Sequence, residues 1–235
     1  MKKYIIFSAI AIILVASGFY VNHKITISKF NEKLQKTILK DQGLTETILK
    51  IEKESSSISY RELFELCDKS VKDRTDIIVD LRGLSSEIES SLKDSLIEFF
   101  NAENELIRSK SQAYRKSMSL SSDLKYYKEE EARWIKADLY VKDIYRSTMR
   151  SKLHEILEEA TGLKENVQTF INQFNLLTKM EDEIDKLMKS EDLKFNPIFK
   201  KYSSANISFM NENIQLADFI INTYKADDEY MQLNW

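Results

Sequence analysis

The chain is poor in the residues that reverse a backbone. Among 235 residues there is one proline, Pro197, and four glycines. Folds built from many strands and turns need both residue types repeatedly, so their scarcity excludes a strand-rich architecture. The elements must be long and few, which leaves helices. Cysteine is scarcer still. Cys67 is alone, so no disulfide within the chain can form. Only two histidines are present, His23 and His154. No Gly-rich phosphate loop, no Cys-x-x-Cys pair and no Ser/His/Asp arrangement occurs, and an enzyme is not expected.

Charge of one sign is also missing. Lys2 and Lys3 are the only charges before Lys24, so the remainder holds 33 basic and 38 acidic residues. That acidic balance argues against nucleic-acid binding, which calls for a basic domain. Hydrophobic content of 43% and aromatic content of 11% exclude a disordered chain.

One long apolar run stands at the start. Tyr4 to Val21 carries no charge and is flanked by Lys2, Lys3, His23 and Lys24. As a helix it reaches roughly 27 Å, just enough for a hydrocarbon core of about 30 Å. Tyr4, Phe19 and Tyr20 would then sit at the two interfaces. The same stretch also reads as a cleaved signal peptide, with Ala16 and Gly18 as the small residues before the cut. The expected organisation is therefore 1–23 as membrane anchor or signal peptide and 24–235 as an extracytoplasmic helical domain. Retained, the anchor gives a single-pass protein with its N-terminus inside. Cleaved, it gives a secreted soluble factor.

Beyond Lys24 the apolar residues recur every three or four positions, as one helix face requires. Ile27, Phe30, Leu34, Ile38, Leu44, Ile48 and Ile51 form the first stripe, which Ser55, Ser56 and Ser57 break. Ser59 and Glu62 have capping-box spacing and open a second helix, with Tyr60, Leu63, Cys67, Val71, Ile78 and Leu81 on its stripe. Cys67 thus reads as a small buried hydrophobe. Arg82-Gly83 is a stop, and Ser86 with Glu89 a restart. The stripe Ile88, Leu92, Leu96, Phe99 and Leu106 follows and fades into Ser117–Asp123, where a turn is expected. The next helix carries Trp134, Ile135, Leu139 and Ile144. From Met149 the spacing alternates four and three through Leu153, Ile156, Ala160, Leu163, Val167, Phe170, Phe174 and Leu177, with Ile184 and Met188 continuing beyond Glu181. That 3.5-residue period predicts a coiled-coil seam, with Gly162 as a point where it could kink. Asn196-Pro197 starts a last helix with Phe199, Tyr202, Phe209, Leu216, Phe219 and Ile220 on its stripe. The fold expected is all-α, an elongated antiparallel helical bundle.

Two features invite a site. His154 and Glu158 share a helix face but make only half of a metal site, and no metal or cofactor is expected. Asn206-Ile207-Ser208 matches a glycosylation sequon but lies mid-helix. The segment 108–128 is unusual. Arg108, Lys110, Arg115, Lys116, Lys125 and Lys128 face a single acid, Asp123, with Tyr114, Tyr126 and Tyr127 interleaved. A turn at Ser117–Asp123 would gather these nine residues at a basic hairpin tip able to contact an anionic partner. The outline resembles membrane-anchored extracytoplasmic sensor bundles such as those of chemoreceptors, without a second apolar span. The expected function is a non-enzymatic, membrane-tethered bundle that binds a protein or an anionic envelope component. A sensory domain holding a small ligand in its core is the alternative, and self-association is left open.

Overall fold

A computed structural model describes residues 2–54, 58–84, 91–190, 193–201 and 203–233. Among them every regular element is a helix: α1 (Lys2–Glu54), α2 (Tyr60–Arg82), α3 (Ser91–Lys136), α4 (Leu139–Ser190), α5 (Ile198–Lys201) and α6 (Ser203–Leu233). Among the described residues no helix is long and apolar enough to cross a membrane. Most side chains of the Tyr4–Val21 run lie outside those described. So do the serine break at 55–57 and the restart at Ser86 and Glu89.

Local chemistry sets several boundaries. The Ser59 side chain accepts the Glu62 amide, and the Glu62 carboxylate accepts the Ser59 amide, which closes the capping box. Gly83 ends α2, its N–H donating to the Val79 carbonyl at 3.0 Å. The turn expected at Ser117–Asp123 does not form; α3 runs through it to Lys136. Ser121 satisfies its hydroxyl by donating to the Ser117 carbonyl at 2.9 Å, one turn back in the same helix. Asp123 takes the Lys152 ammonium at 2.8 Å. The reversal comes at Ala137 and Asp138 instead, where the Asp138 carbonyl accepts the amides of Val141 and Lys142. Beside that reversal Ile135 and Ile144, expected in a stripe, are 64% and 67% exposed.

α3 is the central helix. One stripe of it, Leu92, Leu96, Phe99, Leu106, Ala113, Leu120 and Tyr127, is buried, and so is a second, Phe100, Asn104, Ile107, Ser111 and Tyr114. α4 lies antiparallel to it, since Lys152 meets Asp123 and, seven residues on, Glu159 meets Lys116. α2 is antiparallel on another flank, with Ser111 donating to Asp68 at 2.7 Å. α6 runs parallel to α3 and antiparallel to α4, with Lys164 on Asp218 at 2.6 Å. The α4 seam is buried at every expected position from Met149 to Met188. Gly162 does not interrupt it. An added Cβ there would lie 2.6 Å from the Lys116 ammonium, so the missing side chain makes room for the lysine stem.

Two seam details differ from the sequence expectation. Glu181 holds a seam position while 1% exposed. Its carboxylate accepts the amides of Phe199 at 2.8 Å and Lys200 at 3.1 Å. The first turn after Pro197 is therefore capped from another helix and not by Asn196. Burial pushes the Glu181 carboxyl up, while the Phe199, Lys200 and Ile198 amides pull it back. The second difference is the inner face of α6. Asn206, Met210, Asn213, Ala217 and Ile220 are buried, whereas Leu216 and Phe219 are 38% and 65% exposed. The inward asparagines explain the choice. Lys110 donates to the Asn206 side-chain oxygen at 3.0 Å, and Ser117 to that of Asn213 at 3.1 Å. Asn206 is thus enclosed in the bundle and out of reach of a glycosylating enzyme.

Candidate functional site

The basic segment is distributed around α3 rather than gathered at a tip, because a straight helix fans successive side chains over its circumference. Lys110, Tyr114 and Tyr127 point inward and are buried. The Lys110 ammonium lies 5.1 Å from the Phe170 ring centre, and Tyr127 packs edge-on against Tyr224. Arg108 pairs with Glu105, and Arg115 with Asp68 while lying over the Phe64 ring. Lys116 lies across Gly162 beside Glu159. Lys125, Tyr126 and Lys128 are exposed. Lys125 and Lys128 edge a shallow cleft of about 540 Å³ with Ser121, Leu124, Glu129 and Ala132. A second open cleft, of about 610 Å³, holds His154 and Glu158 with Lys116, Leu157, Thr161, Gly162 and Glu165. Among the described residues no three His, Cys, Asp or Glu side chains gather as metal ligands.

The most unusual chemistry is inside the bundle, where α1, α2 and α3 meet. Arg74 of α2 is fully buried, and Asp41 and Thr45 of α1 are 1% exposed. Glu103 and Asn104 of α3 are 2% and 3% exposed. Arg74 Nε donates to Asp41 Oδ1 at 2.6 Å. One Arg74 terminal nitrogen donates to Thr45 Oγ1, and the other reaches Asn104 Oδ1 at 3.4 Å. The Thr45 hydroxyl in turn donates to Glu103 Oε1 at 2.9 Å. All three helices are joined through one guanidinium. Burial works against the Arg74 charge, but Asp41 and Glu103 outweigh it and move its pKa up.

Glu103 is the unbalanced member. Two carboxyl groups face one cation, and all three are at most 2% exposed. The Arg74 Nε lies 3.4 Å from Glu103 Oε2 but gives its hydrogen to Asp41. As a carboxylate, Glu103 Oε2 receives no hydrogen bond from any described group. As an acid, it becomes a donor with Asp41 as its acceptor. Burial first, and then the Asp41 charge, push the Glu103 carboxyl well above the ordinary glutamate range, and Arg74 only partly opposes this. Burial and the neighbouring Asp41 thus favour the neutral form of Glu103.

None of these five residues stood out by hydrophobicity, yet their spacing carried a signal. Asp41 and Thr45 continue the Phe30, Leu34, Ile38 series toward Ile48 at intervals of three and four. Arg74 falls four before Ile78, and Glu103 four after Phe99. A charged residue on an otherwise apolar stripe marks a buried polar contact. Comparison with protein-family models finds none that matches, and neither a curated protein nor a solved structure is found to match this chain.

Proposed function

We propose that this chain is a non-enzymatic, membrane-tethered helical rod that acts outside the cytoplasm by binding a protein or an anionic envelope component. The observation that carries the reading is the course of α1. The helix is continuous from the apolar run into the bundle, yet from Ser17 to Lys29 no described side chain is buried, and Phe30 is the first that is. Thr26 and Ile27 are half-buried, so roughly 13 Å of helix, over residues 17–25, stands clear of the bundle. Phe19, Tyr20 and Val21 on it are 73%, 64% and 54% exposed. A lipid interface would cover those rings and the run before them. α3 and α4, about 70 and 78 Å long, make the body of the rod. The sensory alternative needs inward polar groups aimed at a cavity, and at the α1–α2–α3 junction Asp41, Thr45 and Arg74 are engaged with one another and with Glu103.

The protein should sediment with membranes and resist extraction by high salt, and protease added from outside should digest the domain. A soluble mature chain beginning near Phe19 would overturn the tether.

The partner surface we assign is the outward face of α3 at Lys125, Tyr126 and Lys128. These cations have ordinary solvent-facing positions, whereas Arg115 and Lys116 already serve ion pairs. Lys125→Glu with Lys128→Glu should weaken capture of the partner and flatten its salt dependence, with the melting temperature nearly unchanged, since exposed charges are screened within about 8–10 Å. The same capture and the same salt response in the reversed protein would remove this face from the proposal.

A further inference from the structure

We propose that Glu103 is a proton-binding site that latches α1 onto α2 and α3. The proposal does not rest on the membrane reading. It rests on the stoichiometry of a closed cluster: two carboxyl groups, one guanidinium, each at most 2% exposed. α1 is held mainly through α2. Its polar grip on that side is Asp41 and Thr45, both on Arg74. Thr45 also donates to Glu103. The charged groups that act on Glu103 are Asp41 from α1 and Arg74 from α2. On its own helix the next charged seam residue, Lys110, is two turns away and engaged with Asn206.

With its proton, Glu103 completes the cluster. It accepts from Thr45, faces Asp41 as a donor, and leaves Arg74 to neutralise Asp41 alone. Without its proton, Glu103 puts a second negative charge beside Asp41, with one cation for the two and almost no exposure to solvent that could screen them. Separation of α1 from the other two helices relieves that repulsion, because it admits water to both carboxylates. The released proton is then the ligand that was holding the helix.

The sign follows from where the proton is held more tightly. In the closed site Glu103 keeps it well above the ordinary range; in an opened or unfolded chain it titrates near 4.5. The latch is therefore fully engaged below about 4.5 and weakens as pH rises, until it is spent once pH passes the closed-site value. Within that window one proton is released per opening, so the opening equilibrium rises up to tenfold per pH unit.

Two measurements on the full chain test this. The first follows the Glu103 side-chain carboxyl carbon by NMR as pH is raised. A midpoint well above the ordinary glutamate range is expected, and a midpoint at or below 4.5 would overturn the proton site. The second follows hydrogen exchange of the α1 amides 38–49, corrected for intrinsic rates, against those of the α4 seam. In the wild type, protection of the α1 amides should fall up to tenfold per pH unit while the seam holds. Glu103→Gln, which keeps the neutral shape, should leave α1 protection flat with pH. Asp41→Asn removes the repelling neighbour and should move the fall toward acid pH. Wild-type protection of α1 that does not change with pH, or a Glu103→Gln slope equal to the wild type, would overturn the latch.

Discussion

Arg74→Met is expected to lower stability by about 3–5 kcal/mol in urea unfolding at neutral pH. Methionine is shorter but similar in volume, so packing is largely kept. What changes is that Asp41 remains buried with its cation gone, and breaking one partner of a buried pair costs in that range. The pair itself is not thereby a source of stability. Taking two charges out of water is expensive, and replacing Asp41, Arg74 and Glu103 together by apolar residues should be neutral or stabilising by about 1–4 kcal/mol. The contrast between single and triple replacement is the diagnostic. A loss below about 1 kcal/mol for Arg74→Met would mean that water reaches the site.

Phe170→Ala should cost about 3–5 kcal/mol, the usual range for deleting a buried ring. Phe170 is fully buried on the α4 seam. It stacks on Phe174 with ring centres 6.2 Å apart, and the Lys110 ammonium lies over its ring. Deletion leaves a hole and also removes the face on which a buried cation rests. Phe219→Ala is the control. That ring is 65% exposed on α6, and its removal should change stability by no more than about 0.5 kcal/mol. Comparable losses at the two positions would mean that the inner face of α6 has been misassigned.

The two phenylalanines also mark where sequence reading succeeds and where it stops. Phe170 belongs to an unbroken four-three series of apolar residues, and periodicity alone places it. The caps at Ser59 and Gly83 are equally local and equally legible, because a hydroxyl or a glycine acts within one turn of its own position. Phe219 misled because α6 chooses its face by pairing and not by hydrophobicity. Asn206 and Asn213 must face Lys110 and Ser117, and small Ala217 lets the helices approach, so the phenylalanine is turned out. The same limit hid Asp41, Arg74 and Glu103. Each is polar only in isolation, and its partners lie 29 to 62 residues away in sequence. The serines of 117–123 failed for the opposite reason. A hydroxyl that can end a helix can equally bond back to the preceding turn, and nothing local decides between them. Distribution of the basic segment followed from that one error, since an unbroken α3 cannot present Lys110 and Lys125 at a common end.

Two of the rungs that fasten α6 are spaced alike on both helices: Lys110 and Ser117 on α3, Asn206 and Asn213 on α6, seven residues apart in each case. Such a ladder is degenerate. Sliding α6 by one heptad, about 10 Å, would still bring Asn213 to Lys110 or Asn206 to Ser117, and so keep one rung of two. Those two rungs alone therefore do not fix the register of the last helix. Glu181 does. Its grip on the amides of Phe199 and Lys200 sits only a few residues before α6 begins at Ser203. A slide of a heptad would tear that short connection from the carboxylate and leave both amides without an acceptor. The buried glutamate acts as the zero mark of a scale whose divisions are otherwise identical.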